Sequence, residues 1–341
     1  MATRKEVAEL AGVSEATVSR VLNGVGPMKE STRKRVLEAA DQLKYQLNAV
    51  ASSFARGRSG NIGVVLPHVP KVSLFSTYYF SELLSGIGEA TRARGYGLLL
   101  LFRDPGEPYD YSSLFRTQRI DACIVLGASS FPAETSSIVK LGEEGFPFVV
   151  MDQRIDDPRV SVVAADHAEG SRLAVKHFVD KGFRSIGFLN GSPQYSNSSD
   201  RLSGYRKALE ESGIPYDESI LYEGNYSRKS GYVAAAKVHA DLSRLDALFV
   251  ANDRMAVGLI QGLRERGVRL PEDLPIVGYD NSDAAAMTEP PLTTVKVPFY
   301  EMGKLAADKL FDRIEGEESG EPSAIRELLH TELIVRRSSG Q

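Results

Sequence analysis

The sequence predicts an α/β protein, with a small N-terminal three-helix bundle followed by two doubly wound α/β lobes. Three observations carry that prediction. Residues 6–44 hold three short helical patterns, the first two separated only by Gly12-Val13-Ser14. From Asn61, near-continuous apolar runs (NIGVVLP, YGLLLLF, DACIVLG, FPFVVMD) alternate with amphipathic stretches, the pattern of parallel strands covered by helices on both faces. The series then repeats as VSVVAAD, SIGFLNG, ALFVAND and PIVGYDN, so two similar lobes are expected.

Bulk properties narrow the class. The 341 residues, 42% apolar and 25% charged, suit two or three globular domains. Charge is uneven: the first sixty residues carry ten Lys/Arg against six Asp/Glu, and the rest carry 31 against 39. The basic end and the acidic body are therefore expected to meet different partners. The single cysteine, Cys123, cannot form an internal disulfide and reads as an inert strand thiol in a reducing compartment. No apolar run approaches the ~18 to 20 residues of a membrane span, and MATRKEV lacks a signal-peptide core. A cytoplasmic protein without a membrane partner is expected.

In the N-terminal segment, Val7, Ala8, Leu10 and Ala11 form one helical face, and Ala16, Val18, Val21 and Leu22 another. Ser14 is placed to cap the second helix after the Gly12-Val13 turn. A third pattern from Thr32 to Lys44 turns Val36, Leu37, Ala40 and Leu43 inward and leaves Arg33, Lys34 and Arg35 outside. Ala8, Gly12 and Val18 have the spacing of a helix-turn-helix, whose second helix enters a major groove. Glu15, Ala16 and Arg20 are then candidate base contacts. Thr17, Ser19, Asn23 and Thr32 are candidate phosphate anchors, and Tyr45 joins the DNA-facing set.

The runs VAELAGVSEATVSRVLNG and TRKRVLEAADQLKYQLNAVA resemble the headpiece of the lactose/galactose repressor (LacI/GalR) family of bacterial regulators. The resemblance implies a hinge helix that orders on DNA, matched here by NAVASSFARG. Asn48 would open it, Ala51 would face the partner hinge and Phe54 would intercalate in the minor groove. Phe54 stands where the family usually has leucine, Leu47 replaces a usual proline, and Lys29 replaces a usual Ser or Thr cap.

The body also resembles this family and the periplasmic sugar-binding fold behind it, through SELLSGI, DRLSGYRKAL, LFVANDRMAVGLIQGLRERGVRLPEDLPIVGYDN, PPLTTVKVP and ELIVRRSS. The expected division is residues 1–46 for the headpiece and 47–60 for the hinge. Residues 61–160 and 293–322 are assigned to the N-terminal lobe, and 161–292 and 323–341 to the C-terminal lobe. A cleft should open at the carboxyl ends of the strands. Strand ends put Asp152, Asn252, Asp253 and Asp280 there as hydrogen-bonding groups, joined by Arg201 at the start of a helix after the polar loop SPQYSNSSD, with Tyr79, Phe80, Tyr195 and Tyr226 in loops or helix starts beside them as stacking surfaces. The resemblance implies effector contacts for Arg201, Asn252 and Asp280, a sugar-hydroxyl contact for Asp152, and an aromatic floor for Tyr226. Asn252 and Asp253 could equally cap the following helix, and Asp280 could organise its own loop.

No P-loop, no G-x-S-x-G elbow and no metal-type His/Cys cluster occurs in the sequence, so neither enzyme activity nor a metal or cofactor is expected. The reading that follows is a homodimeric repressor of a palindromic operator in double-stranded DNA, controlled by a small-molecule effector. A sugar or oligosaccharide is the first choice of ligand, and a purine or sugar phosphate is the alternative.

Overall fold

A computed structural model describes residues 2–24, 26–45, 58–70, 74–316 and 323–340. The N-terminal bundle contains α1 (Arg4–Ala11), α2 (Glu15–Asn23) and α3 (Glu30–Gln42). A capping box starts α1: Thr3 Oγ1 accepts the Glu6 N–H at 3.3 Å, and the Glu6 carboxylate accepts the Thr3 N–H at 2.6 Å, so two otherwise orphaned donors are satisfied. Gly12 ends α1 at φ 65, a left-handed turn that costs glycine little. Ser14 caps α2 by accepting the Thr17 N–H at 3.2 Å.

Val7, Val18 and Val36 form the centre of the bundle, with Ala8, Ala11, Val21, Ala39 and Ala40 around them. Two expected core residues face outward instead, Leu10 at 48% and Leu37 at 45% exposure. The buried stripe on each helix is narrow because the partners are mostly Ala and Val, which draw the helices close and leave no room for the flanking leucines. Helix α3 begins at Glu30 rather than Thr32, and Lys29 at its cap position makes no side-chain cap bond.

The body holds two six-stranded sheets. The first contains β1 (Asn61–Pro67), β2 (Gly97–Arg103), β3 (Ala122–Val125), β4 (Phe148–Met151) and β5 (Val162–Ala165). The second contains β6 (Ile186–Asn190), β7 (Leu221–Glu223), β8 (Ala247–Val250), β9 (Ile276–Asp280) and β10 (Thr293–Lys296). The last residues supply β11 (Arg326–Leu329) and β12 (Glu332–Ile334), giving spatial orders β11-β5-β4-β3-β1-β2 and β12-β10-β9-β8-β6-β7. Every pairing is parallel except β10 with β12.

The first sheet carries α4 (Tyr78–Ala93), α5 (Tyr111–Arg116) and α6 (Pro132–Glu143), and the second carries α7 (His167–Asp180), α8 (Ser196–Glu211), α9 (Arg228–Ala240), α10 (Asp253–Arg264) and α11 (Asp283–Met287). Helix α12 (Phe299–Glu315) returns to the first lobe and packs on α4. A Cβ on Gly86 would sit 2.0 Å from the Tyr300 carbonyl oxygen, so only glycine permits that approach. Cys123 is fully buried in the first lobe's core, and burial pushes its thiol up to about 12, which leaves it unreactive.

These strands correct the expected lobe boundaries. β5 belongs to the first sheet, so the first crossing follows Ala165 rather than residue 160. β10 belongs to the second sheet although residues 293–322 were assigned to the first lobe. The run ELLHTELIV breaks at His330-Thr331: Leu329 pairs with Ala165 of the first sheet and Ile334 with Thr294 of the second. A continuous apolar run cannot by itself announce that its two halves serve different sheets. Of the expected hinge, only Arg58, Ser59 and Gly60 are among the described residues. The Ser59 and Gly60 N–H groups donate to the Asp121 carboxylate at 2.8 and 2.7 Å, anchoring the entry to β1.

Candidate ligand cleft and nucleic-acid interface

The carboxyl ends of both sheets face a cavity of about 710 Å³ between the lobes, and all eight cleft residues expected from the sequence line it: Tyr79, Phe80, Asp152, Tyr195, Arg201, Tyr226, Asn252 and Asp280. Their origins are dispersed. Tyr79 and Phe80 lie on the first turn of α4, Asp152 follows β4, and Asp280 ends β9. Tyr195 and Asn252 stand at the N-caps of α8 and α10, Arg201 is on α8, and Tyr226 precedes α9. Among the described residues, Asp152 (φ 58), Tyr226 (φ 65) and Asp280 (φ 106) belong to the few non-glycine positions with positive φ. Such backbones cost of order 1 to 3 kcal/mol each and persist where surrounding structure over-determines them. Here they turn the side chains into the cleft.

Five residues close a hydrogen-bonded ring on the cleft floor. Asp152 Oδ1 meets His167 Nε2 at 2.7 Å, and His167 Nδ1 meets Arg201 Nη2 at 3.3 Å. Arg201 Nη1 donates to the Tyr226 hydroxyl at 3.0 Å, which donates to Asn197 Oδ1 at 2.9 Å. Asn197 Nδ2 completes the ring by donating to Asp152 Oδ2 at 3.1 Å. Because Arg201 can only donate, His167 Nδ1 is assigned as acceptor and Nε2–H as the donor to Asp152. Asp152 comes from the first lobe and the other four from the second, so the ring joins the lobes.

Electrostatics follow from this arrangement. Burial alone would raise the Asp152 pKa, but His167, Arg201 and Asn197 outweigh it and hold the carboxyl at about 2. Arg201 is 2% exposed, and its guanidinium carbon stands 4.3 Å from the Tyr279 ring centre, a cation–π contact that helps to hold a buried charge. Asp280 is different. Its carboxylate lies 4.0 Å from Arg201 Nη2 and has no hydrogen-bond donor among the described residues. Burial raises its pKa well above the usual carboxylate range despite Arg201, with Asp253 and Asp152 adding to the rise.

The alternative roles considered for these residues divide. Asn252 does cap α10, its Oδ1 accepting the Met255 N–H at 2.9 Å while Nδ2 donates to the Tyr226 carbonyl at 3.3 Å. Asp253 turns away from the cleft, accepting from the Thr294 hydroxyl at 2.7 Å and the Ser282 N–H at 2.7 Å. Burial raises its carboxyl to about 6 even so.

Sequence reasoning missed His167, Asn197 and Tyr279. His167 stands one residue past the strand-end position that yielded Asp152; in β5 that position is Asp166, which instead caps α7 by accepting the Glu169 N–H at 2.9 Å. Asn197 lies within the loop SPQYSNSSD, which is polar throughout and singles out no residue. Tyr279 sits inside an apolar strand run, with nothing to show that its ring faces Arg201. Tyr226 needs Gly191, where a Cβ would lie 2.0 Å from the phenol ring.

On the headpiece, Ala16 and Arg20 are exposed on α2, and Thr17 and Ser19 are half-buried beside them. Glu15 is paired with Arg4 at 3.1 Å, so accepting from a base would mean exchanging that exposed partner. Asn23 Nδ2 donates to the Ser19 carbonyl at 2.8 Å. Thr32 is half-buried on α3, and Tyr45 packs partly against the bundle core. Asn48, Ala51 and Phe54 lie outside the described residues.

A helix-turn-helix bundle joined to two lobes around a polar, aromatic-lined cleft defines a DNA-binding regulator with a small-molecule site. Comparison with known proteins agrees over the whole chain. Residues 3–48 match the model for bacterial regulatory proteins of the lacI family, and residues 175–339 match that for a periplasmic binding protein-like domain. The PurR transcriptional repressor of Photobacterium profundum is 33% identical over 340 residues, covering 99% of this chain and 98% of that protein. Among solved structures, the transcriptional regulator CelR in complex with cellobiose is 31% identical at a TM-score of 0.73, with both chains fully covered. The lac repressor dimer bound to operator and the anti-inducer ONPF is 26% identical at a TM-score of 0.82, with 99% of both chains covered. The chain belongs to the LacI/GalR family, and it is a DNA-binding transcriptional repressor whose body is an effector-binding domain. No described helix is long and apolar enough to cross a membrane.

Proposed function

We propose that this repressor acts as a homodimer on a palindromic operator controlling carbohydrate-utilisation genes, and that a sugar or oligosaccharide in the inter-lobe cavity sets its operator affinity. The observation that carries the ligand class is Asp280. Its carboxylate has no hydrogen-bond donor among the described residues and borders a cavity whose lining includes Tyr79, Phe80, Tyr195 and Tyr226, so its acceptor capacity is open to a ligand's donors. A pyranose supplies what this arrangement lacks, hydroxyl donors at its edge and an apolar face for the rings. The CelR–cellobiose neighbour supports the same class.

Ligand binding would couple to DNA through the floor ring, because Asp152 belongs to one lobe and its partners to the other. A change in lobe closure then shifts the segment entering β1 at Ser59 and Gly60, which follows the headpiece in sequence. Coupling of about 1 to 3 kcal/mol per ligand is typical of allosteric proteins. On the DNA side, Arg20 with Ala16 and Glu15 would read base edges, and Thr17, Ser19, Asn23, Thr32 and Tyr45 would hold the backbone. Asn48, Ala51 and Phe54 would act in the hinge.

A purine effector is the second reading, favoured by the PurR relatives and by the adjacent Tyr79 and Phe80 rings, whose centres are 4.9 Å apart. A thermal-shift screen separates the two, since a ligand at 100 times its Kd adds about 2.7 kcal/mol. Stabilisation by sugars and not by adenine or guanine is expected. Stabilisation by a purine alone would transfer the assignment.

A further inference from the structure

We infer that the cavity is shaped for two linked sugar rings, with Phe75 as the platform for the outer one; this rests on the carbohydrate reading above. The cavity lining changes character along its depth. At the floor, Arg201, Asp152, Asn252 and Asp280 are between 2% and 8% exposed and carry the polar groups. At the mouth, the lining includes Phe75 at 53% exposure and Val69 at 37%. A large aromatic left half in water adds little to folding, yet this one is continuous with the cavity wall.

Local geometry puts it there. Phe75 is the middle residue of a 3-10 turn, Leu74–Ser76, and Leu74 is buried in the main core at 6% exposure. With about three residues per 3-10 turn, successive side chains point roughly a third of a turn apart, so burying Leu74 directs Phe75 outward. Two residues on, Thr77 Oγ1 accepts from Arg254 Nη1 of the second lobe at 3.2 Å. The platform is therefore tied to both lobes.

The cavity of about 710 Å³ lies in the upper half of the range, roughly 300 to 1,000 Å³, typical of small-molecule sites. A single pyranose bonded to Asp280 and stacked on the inner aromatics leaves the mouth to water. A second ring linked to the first reaches toward Phe75, where a rigid side chain with two rotatable bonds offers a face at low entropic cost.

Isothermal titration of the full-length protein with glucose, galactose, cellobiose, lactose and maltose tests the inference, using wild type, Phe75→Ala, Phe75→Tyr and Arg201→Met. At least one of the disaccharides is expected to bind about three- to tenfold more tightly than its component monosaccharide, the size of one stacking contact. Phe75→Ala should remove that advantage while leaving monosaccharide affinity within about twofold, and Phe75→Tyr should restore it. Arg201→Met should weaken both sugars together. Equal losses for mono- and disaccharide in Phe75→Ala, or no loss, would overturn the platform while leaving the carbohydrate reading intact. If none of the five sugars binds, the carbohydrate reading falls and the inference falls with it.

Discussion

Replacing Arg201 with Met should destabilise the protein in a pH-dependent way. The substitution keeps the stem that packs near Tyr279 but removes the guanidinium that donates to His167 Nδ1 and to the Tyr226 hydroxyl, and that stands 4.0 Å from Asp280. Removing one partner of a buried pair typically costs about 3 to 5 kcal/mol, because the remaining charge stays uncompensated. The lower end, about 3 kcal/mol, applies at pH 8, because the Asp280 pair is long and only the two neutral acceptors lose short bonds. At pH 5 the loss should shrink to about half, because Asp280 can then escape its penalty by taking up a proton. The direction is fixed by linkage. Burial already raises the Asp280 pKa, and loss of the cation raises it further, so the variant's stability is fullest below the unfolded value of about 3.9 and falls as pH rises through the folded value. Urea unfolding midpoints of wild type and variant at pH 5 and pH 8, with unchanged slopes, give the comparison. A loss equal at both pH values, or under about 1 kcal/mol at pH 8, would refute the view of Arg201 as the cation that holds Asp280 in the cleft.

Three other outcomes are expected. Arg103 and Glu134 form an ion pair at 2.6 Å with both side chains 1% exposed; Glu134→Gln should cost about 3 kcal/mol or more, whereas Arg103→Met combined with Glu134→Leu should lie closer to wild type in denaturant titration. Asp152, held at about 2 against an ordinary 3.8, contributes stability present above the ordinary value and lost as pH falls through the folded one; an acid titration of stability should show roughly 2 kcal/mol disappearing between about pH 4 and pH 2, and Asp152→Asn should abolish that step. Arg20→Ala should cost about 1 to 3 kcal/mol on the preferred operator and relax its sequence preference, and an unchanged preference in a selection experiment would remove Arg20 from base readout.

The sequence and the structure agree best where a side chain's position follows from one local rule. Strand ends point into the cleft of a doubly wound lobe, and that rule reached Asp152 and Asp280 without any knowledge of the partner lobe. The Gly12 turn and the Ser14 cap are local in the same sense, each decided within three residues. Long-range choices were less legible. Whether Thr293–Lys296 pairs with the first or the second sheet depends on where the chain crosses, and both sheets offer equally apolar neighbours. The floor ring is less legible still: His167, Asn197 and Arg201 are separated along the chain from Asp152, and only folding shows that their donors and acceptors meet in sequence. Leu10 and Leu37 fail for a related reason, since helical periodicity marks an apolar stripe but not how closely the facing helices approach.

The central claim is that occupancy of this cleft controls DNA affinity, and operator binding measured against ligand concentration tests it most directly. With an operator obtained by selection and the sugar that stabilises the protein, fluorescence anisotropy should show the operator Kd changing by at least about fivefold as the sugar saturates, the lower bound of typical allosteric coupling. The same titration on Arg201→Met, at temperatures where it is folded, should show no change. An operator affinity indifferent to every ligand that stabilises the protein, or a response that persists undiminished in Arg201→Met, would contradict the account.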